Sequence, residues 1–414
     1  MSKKLFFIGF FLISILYLFL RLWQLPQKLD FRLDQAFFLT ESKSTIESST
    51  PRLLGPPTSK IFEGRSFYVG SNYYYLLGVI GHLNSWDPLA ITIFFIIFEF
   101  IFYLLFIYFL RQKFGITSSL LVFWFIAVSP YLVAHSRFFW NPHMLIPLSI
   151  IALYSLEKYI ATHKYIFLIL ASFAWGLAFS CHYSPIFWLP IFIYFLIKSK
   201  LFINPPVRQA GLKSYLIILL GIFIGDLPFF IFELRHQFYN LRTFFFVYSH
   251  SIESGGLTSH YFIFPLLVFT FYFLFLFFSH RLVLISSFLF LVTTYQFYLY
   301  PHYPSLGAVA GWDYPTQVRV ADYISKNCPS NFNVAATIQG DTRFYDLRFL
   351  LEKNNCHPDS VDAYPTSKTL FLVSPHDRSP EAETVWEVDS LRPFTITSKT
   401  KLNDFLDLYF LTRL

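Results

Sequence analysis

Charge is what this sequence has least of. Only 14% of its 414 residues are Asp, Glu, Lys or Arg, against about one quarter in soluble domains. With 55% hydrophobic residues and a mean hydropathy of +0.49, that scarcity excludes an ordinary soluble chain and leaves a membrane protein. No small-residue cleavage site follows the first apolar run: "RLWQLPQKL" stands there, so a retained helix is expected rather than a signal peptide. Cysteines number three. Cys181 ends an apolar run and reads as a small buried hydrophobe. Cys328 and Cys356 share a polar C-terminal region, where an oxidising compartment would permit a disulfide, and the sequence leaves that pairing open. The same region has no repeat, no low-complexity tract and no nucleotide-binding glycine loop.

What is present is a series of apolar runs long enough to cross roughly 30 Å of hydrocarbon. Nine are expected, near 5–22, 89–110, 117–134, 142–157, 165–182, 184–198, 214–232, 261–279 and 282–300. Loops on one side carry Lys3, Lys4, Arg111, Lys113, Lys158, Lys164, Lys198, Lys200, Arg208, Lys213 and Arg281 against a single acid, Glu157. Loops on the other side mix signs. That asymmetry places the N-terminus in the cytoplasm, and an odd number of crossings then places the C-terminus outside. The expected fold is an α-helical polytopic membrane protein over residues 1–300, with a long first outer loop at 23–87, followed by a small extracytoplasmic α/β domain at 301–414. In that domain "TQVRVADYISKN" and "TRFYDLRFLLEKN" have a helical period, while "NFNVAATI", "KTLFLVSP" and "DLYFLTRL" read as strands. In the first loop "LLGPPTS" reads as a rigid turn, and the tyrosine-rich segment after it as an amphipathic piece lying in the membrane interface.

Five stretches in fixed order carry a family resemblance: "LDQAFFLTES", "LLGPPTS…FYVGSNYYYLL", "SPYLVAHSRFFWNPHMLIPL", "CHYSP" and "LPFFIFELRHQFYNLR". By these the chain resembles the C-type (GT-C) superfamily of integral membrane glycosyltransferases, in particular the protein O-mannosyltransferase and lipid A aminoarabinose transferase family and its bacterial dolichyl-phosphate-mannose-type members. The resemblance covers roughly residues 5–300 and is weak beyond. It implies a donor in which a polyprenyl monophosphate carries the sugar, and transfer to an acceptor hydroxyl on the outer face. The family's Asp-Glu pair in the first outer loop falls on Asp34 and Gln35, so the base is matched and the second carboxylate is not. Its Glu-Lys metal and phosphate site falls near Tyr68 and Val69, which offer no carboxylate, so no metal or other cofactor is carried over.

Inverting transfer from a lipid phosphate needs one base for the acceptor proton and positive groups or amides for the departing phosphate. Asp34 is the expected base, its alternative a helix N-cap. Asp30, beside Lys28 and Arg32, reads as a solvated ion pair. Glu41 follows Asp34 by seven residues, two helical turns, and so shares its face as a second catalytic candidate. Arg137, Arg235 and His236 are the expected phosphate contacts, since guanidinium forks onto phosphate oxygens; the alternatives are headgroup snorkelling for Arg137 and a Glu233 pair for Arg235. His182 reads as a sugar or phosphate contact or a satisfied core histidine. Trp140, Asn141 and Gln35 are expected to stack on or hydrogen-bond substrate. Glu99, in mid-span, reads as a structural acid inside the bundle.

The expected activity is thus an inverting glycosyltransferase, in which the bundle and interface segments bind the lipid, the first loop supplies the base and the outer domain helps to hold the acceptor. Its partners would be a polyprenyl-phosphate sugar donor, an envelope glycan, lipid or protein acceptor, and membrane lipids, with no nucleic acid. A transporter or flippase of lipid-linked glycans and a non-catalytic envelope scaffold remain as alternatives.

Overall fold

The computed structural model describes residues 3–48, 50–199, 207–250, 260–277, 309–338 and 341–414. Helix α1 (Lys3–Leu22) leads through a short α2 (Leu25–Lys28) into α3 (Leu33–Glu47), a hairpin of β1 (Leu54–Phe62) and β2 (Arg65–Gly70), and α4 (Asn72–Leu83). The apolar helices follow: α5 (Pro88–Phe114), α6 (Ile116–Val128), α7 (Pro130–His135), α8 (Leu145–Thr162), α9 (Tyr165–Cys181), α10 (Leu189–Lys198), α11 (Val207–Gly225), α12 (Leu227–Arg235), α13 (Tyr239–His250) and α14 (His260–Phe277). Their ends have local causes. The Asp87 carboxylate caps α5 by accepting the Ala90 amide at 2.9 Å, with Pro88 in the first turn. The same helix stops at Gly115, whose φ of +88° suits a residue without Cβ. Pro130 forces the preceding Ser129 out of helical geometry and separates α6 from α7.

Nine full-length crossings are not what the described residues show. By length and composition three helices can span, Lys4–Leu22, Pro88–Phe114 and Asn141–Thr162, and four more apolar helices of 10–17 residues accompany them. The run expected near 214–232 is broken: Leu212–Gly225 and Leu227–Arg235 meet at 88°. Pro228, in the first turn of α12, brings no amide hydrogen to continue the α11 ladder, so the chain turns at Asp226. The run near 282–300 lies outside the described residues.

Two readings of the first loop need correction. "LLGPPTS" enters strand β1 rather than a turn, and the turn is Glu63-Gly64, both at positive φ. A two-stranded hairpin has free edges on which Pro56 and Pro57 can sit, and the register shifts around Pro57 accommodate them. The tyrosine-rich segment is helix α4, and its Tyr73 and Tyr74 are buried in protein rather than laid on lipid. Phe38 of α3 is buried as well, with its ring edge-on to Tyr73 at 5.6 Å.

The C-terminal region is a mixed four-stranded sheet, β3 (Phe332–Ala336), β4 (Thr369–Pro375), β5 (Phe394–Lys401) and β6 (Leu406–Arg413), in the order β3-β4-β6-β5. β3 and β4 run parallel, and the other pairs are antiparallel. Helices Tyr314–Lys326 and Tyr345–Lys353 pack beside it, and Cys328 is bonded to Cys356 with their Cα atoms 5.6 Å apart. The sheet region and the helical bundle share one hydrophobic core. At the joint the buried Phe31 packs edge-on to Tyr314 at 6.1 Å and to Phe349 at 5.7 Å. Gln317 donates to the Phe31 carbonyl at 3.0 Å, and Asp87 accepts from Tyr314 at 2.9 Å and from Lys353 at 3.1 Å.

Candidate active site

At that joint lies a cavity of about 420 Å³ with three walls. One is the start of α3 with the residues before it, Asp30, Arg32, Leu33, Asp34 and Gln35. The second is the turn after α7, with His135, Phe138 and Trp140. The third comes from the C-terminal region, with Val309, Trp312, Ile338, Asp341, Phe344 and Asp346. Residues more than 300 positions apart in sequence, such as Asp34 and Asp341, thus face one space.

The first wall is built by helix initiation. Arg32 is the N-cap of α3, and its amide donates to the Gln35 side chain at 3.4 Å, closing the first turn. Asp34 is therefore an interior first-turn residue and not the cap, and it stays exposed to the cavity. The surrounding protein walls push its carboxyl above the usual carboxylate range; the nearby Asp30 adds to this and Arg32 opposes it. Asp30 does form the expected ion pair, a fork from Arg32 at 2.5 and 3.0 Å, but the pair is not solvated on the acid's side, since Asp30 is buried.

On the third wall the Trp312 indole donates to Asp346 Oδ2 at 2.8 Å, and Asp346 Oδ1 accepts the Leu347 amide at 2.8 Å. Burial pushes Asp346 up to about 7, with the Trp312 donation opposing and Asp341 adding. Asp341 accepts the Arg343 and Tyr345 amides at 3.1 and 2.9 Å, and burial raises it too. His135, on the second wall, shares a 2.8 Å hydrogen bond between Nδ1 and the Tyr131 carbonyl, which makes Nδ1 the protonated nitrogen.

The other expected site residues lie elsewhere. Glu41 is on α3 as expected, but it is engaged by Arg52, whose guanidinium sits over Tyr74 at 5.0 Å, and it does not line the cavity. Arg137 is buried beneath the site: it donates to the Leu20 carbonyl at the end of α1, and its own carbonyl accepts the Asp30 amide. It therefore staples the bundle end rather than facing the cavity. Arg235 and His236 are exposed at the end of α12, His236 stacked on Phe232 at 4.1 Å. Glu233 does not pair with Arg235; it is buried and accepts the Asn240 and Leu241 amides. Asn141 is buried and donates to the Cys181 carbonyl at 2.6 Å, and His182 shares a hydrogen bond with Ser184. Glu99 is buried inside the bundle, 3.7 Å from His143. Of the nine expected site residues, Asp34, Gln35 and Trp140 line the cavity.

Sequence reasoning expected the C-terminal domain to help hold the acceptor but named no residue of the third wall. Trp312 in "GWDYP" was its one visible signal, and nothing local tied Asp341 or Asp346 to the first loop. Among the described residues no group of three or more His, Cys, Asp or Glu comes together as a metal site.

Residues 72–225 match the family model described as dolichyl-phosphate-mannose-protein mannosyltransferase. No curated protein and no solved structure matches the chain. The match spans α4 to α11 and takes in Arg137, Trp140, Asn141 and His182, while Asp34, Gln35, Glu41, Arg235 and His236 lie outside it. Over residues 72–225 the chain is thus similar to dolichyl-phosphate-mannose-protein mannosyltransferases, in keeping with the GT-C-like resemblance carried by the sequence motifs.

Proposed function

We propose that the chain moves a sugar from a polyprenyl-phosphate donor to an acceptor hydroxyl at the outer face of the membrane, inverting the anomeric carbon, with Asp34 as the base. The observation that carries this reading is Asp34 itself, open to a cavity at the bundle end and raised in basicity by the walls around it. The acceptor oxygen attacks C1 as its proton passes to the Asp34 carboxylate, and the C1–O bond to phosphate breaks. One base suffices for this geometry. The departing phosphate needs positive charge. Arg32 is a cation of the cavity wall, and Lys28, the last residue of α2, is close enough to Arg137 for the two charges to interact. The basic loops support a cytoplasmic N-terminus and an extracytoplasmic C-terminal region.

The test is turnover of a radiolabelled polyprenyl-phosphate sugar by the full chain in lipid nanodiscs. Asp34→Asn keeps the size of the side chain but cannot take the proton, so transfer should fall by about two powers of ten or more while donor binding persists. Normal turnover by Asp34→Asn would place the base elsewhere. Leaflet movement of the donor without turnover would mark a flippase instead.

A further inference from the structure

The third wall of the cavity lies outside the matched segment and has no assigned part in the reaction. It is built with care. Phe344 sits at φ +61°, a backbone region that bulky residues occupy only where their surroundings hold them. It is nonetheless buried, packed on Trp312 with ring centroids 4.8 Å apart. Asp341 fixes that turn by accepting two amides, and Asp346 fixes the indole by accepting its N–H. The result is an aromatic pair flanked by two carboxylates, facing Asp34 and Trp140.

This combination has a defined chemical preference. The C–H faces of a sugar ring pack on aromatic rings, and carboxylate oxygens accept hydroxyl hydrogens. Among the described lining residues the permanent cation is Arg32, which stands on the first wall, forked onto Asp30. A phosphorylated or otherwise anionic group entering here would meet Asp34, Asp341 and Asp346, and among the described lining residues the third wall carries no Lys or Arg to offset them. A volume of about 420 Å³ falls within the usual range of small-molecule sites, roughly 300–1,000 Å³.

We propose that Trp312, Asp341, Phe344 and Asp346 form the acceptor subsite, and that it takes a neutral sugar ring and rejects phosphorylated acceptors. The acceptor is then a glycan hydroxyl, presented to Asp34 from the C-terminal side while the donor approaches from the membrane side. This rests on the transferase reading above.

The experiment uses the full chain in nanodiscs and two sets of probes, the methyl glycosides of mannose, glucose and galactose and their 6-phosphates, with binding followed by saturation-transfer NMR. At least one neutral glycoside should bind about ten-fold or more tightly than its 6-phosphate, the scale of a like-charge penalty. Asp341→Asn should narrow that preference, and Trp312→Phe, which keeps a ring but loses the bond to Asp346, should weaken the neutral probe. The proposal is overturned if no glycoside binds, if a 6-phosphate binds as well as its neutral partner, or if both variants bind like the parent chain. Donor turnover is read separately. Glycoside binding in the expected pattern without any sugar transfer would sink the transferase reading and leave the subsite. Transfer that favours phosphorylated acceptors would sink the subsite and leave the transferase.

Discussion

A single carboxyl group illustrates what happens to a residue at this site. Asp346 is pushed up to about 7 by burial, whereas an unfolded aspartate titrates near 3.9. The folded chain therefore holds more protons than the unfolded chain between these values. The stability tied to this group is fully present below about 4 and is lost as pH rises through about 7. Asp346→Asn should flatten the dependence of the melting temperature on pH across that window. A profile that keeps its full slope in the variant would mean that another group is responsible. Asp34 runs the other way in the proposed function: as the proposed base it must be ionised, so transfer should rise with pH through its elevated titration. Its place just beyond the first helix was legible, because the apolar run of α1 ends shortly before it. The role of Arg137 was not, because nothing in "HSRFFW" reveals that the Leu20 carbonyl needs a donor.

At the scale of elements, the packing of α9 against α11 depends on the absence of side chains. A Cβ at Gly176 would stand 2.2 Å from the Ile222 carbonyl oxygen, and one at Gly221 would stand 1.9 Å from Ser172 Oγ. Small residues let membrane helices approach closely where lipid gives no hydrophobic drive for association. Gly176→Ala should cost about 1–3 kcal/mol, because the clash is with backbone and one helix must shift. At Gly9 the nearest atom to an added Cβ is the flexible Leu120 side chain at 3.3 Å, so Gly9→Ala should be milder. Equal melting temperatures for the two variants in detergent would refute this ordering. The strands β3, β4 and β6 fall where the apolar runs "NFNVAATI", "KTLFLVSP" and "DLYFLTRL" place them. β5 went unread because "FTITSKTK" is largely exposed and gives no apolar run.

For the whole molecule, orientation is the property to test. The Cys328–Cys356 bond closes a separation of 28 residues, worth about 3–4 kcal/mol in the chain-entropy account, and such bonds persist in oxidising compartments. The region that carries it docks on the bundle end at Asp87, which in the proposed orientation lies outside. A reporter fused after Leu414 should be active outside the cytoplasm, with Cys328 and Cys356 joined in a non-reducing mass map. Activity confined to the cytoplasm would overturn the orientation and the outer-face chemistry with it.

The sequence by itself determined that this is a membrane chain with a polar region at its C-terminal end, and it carried the family resemblance. Scarcity of charge, long apolar runs and ordered motifs are local properties that need no partner to be read. The tertiary structure alone decided which of the candidate residues meet. The ion pair of Glu41 with Arg52, the stapling of α1 by Arg137 and the arrival of Trp312, Asp341 and Asp346 opposite Asp34 all depend on contacts between distant segments. Those contacts are set by how one shared core packs the C-terminal region onto the bundle end. Spacing along the chain carries no trace of that packing.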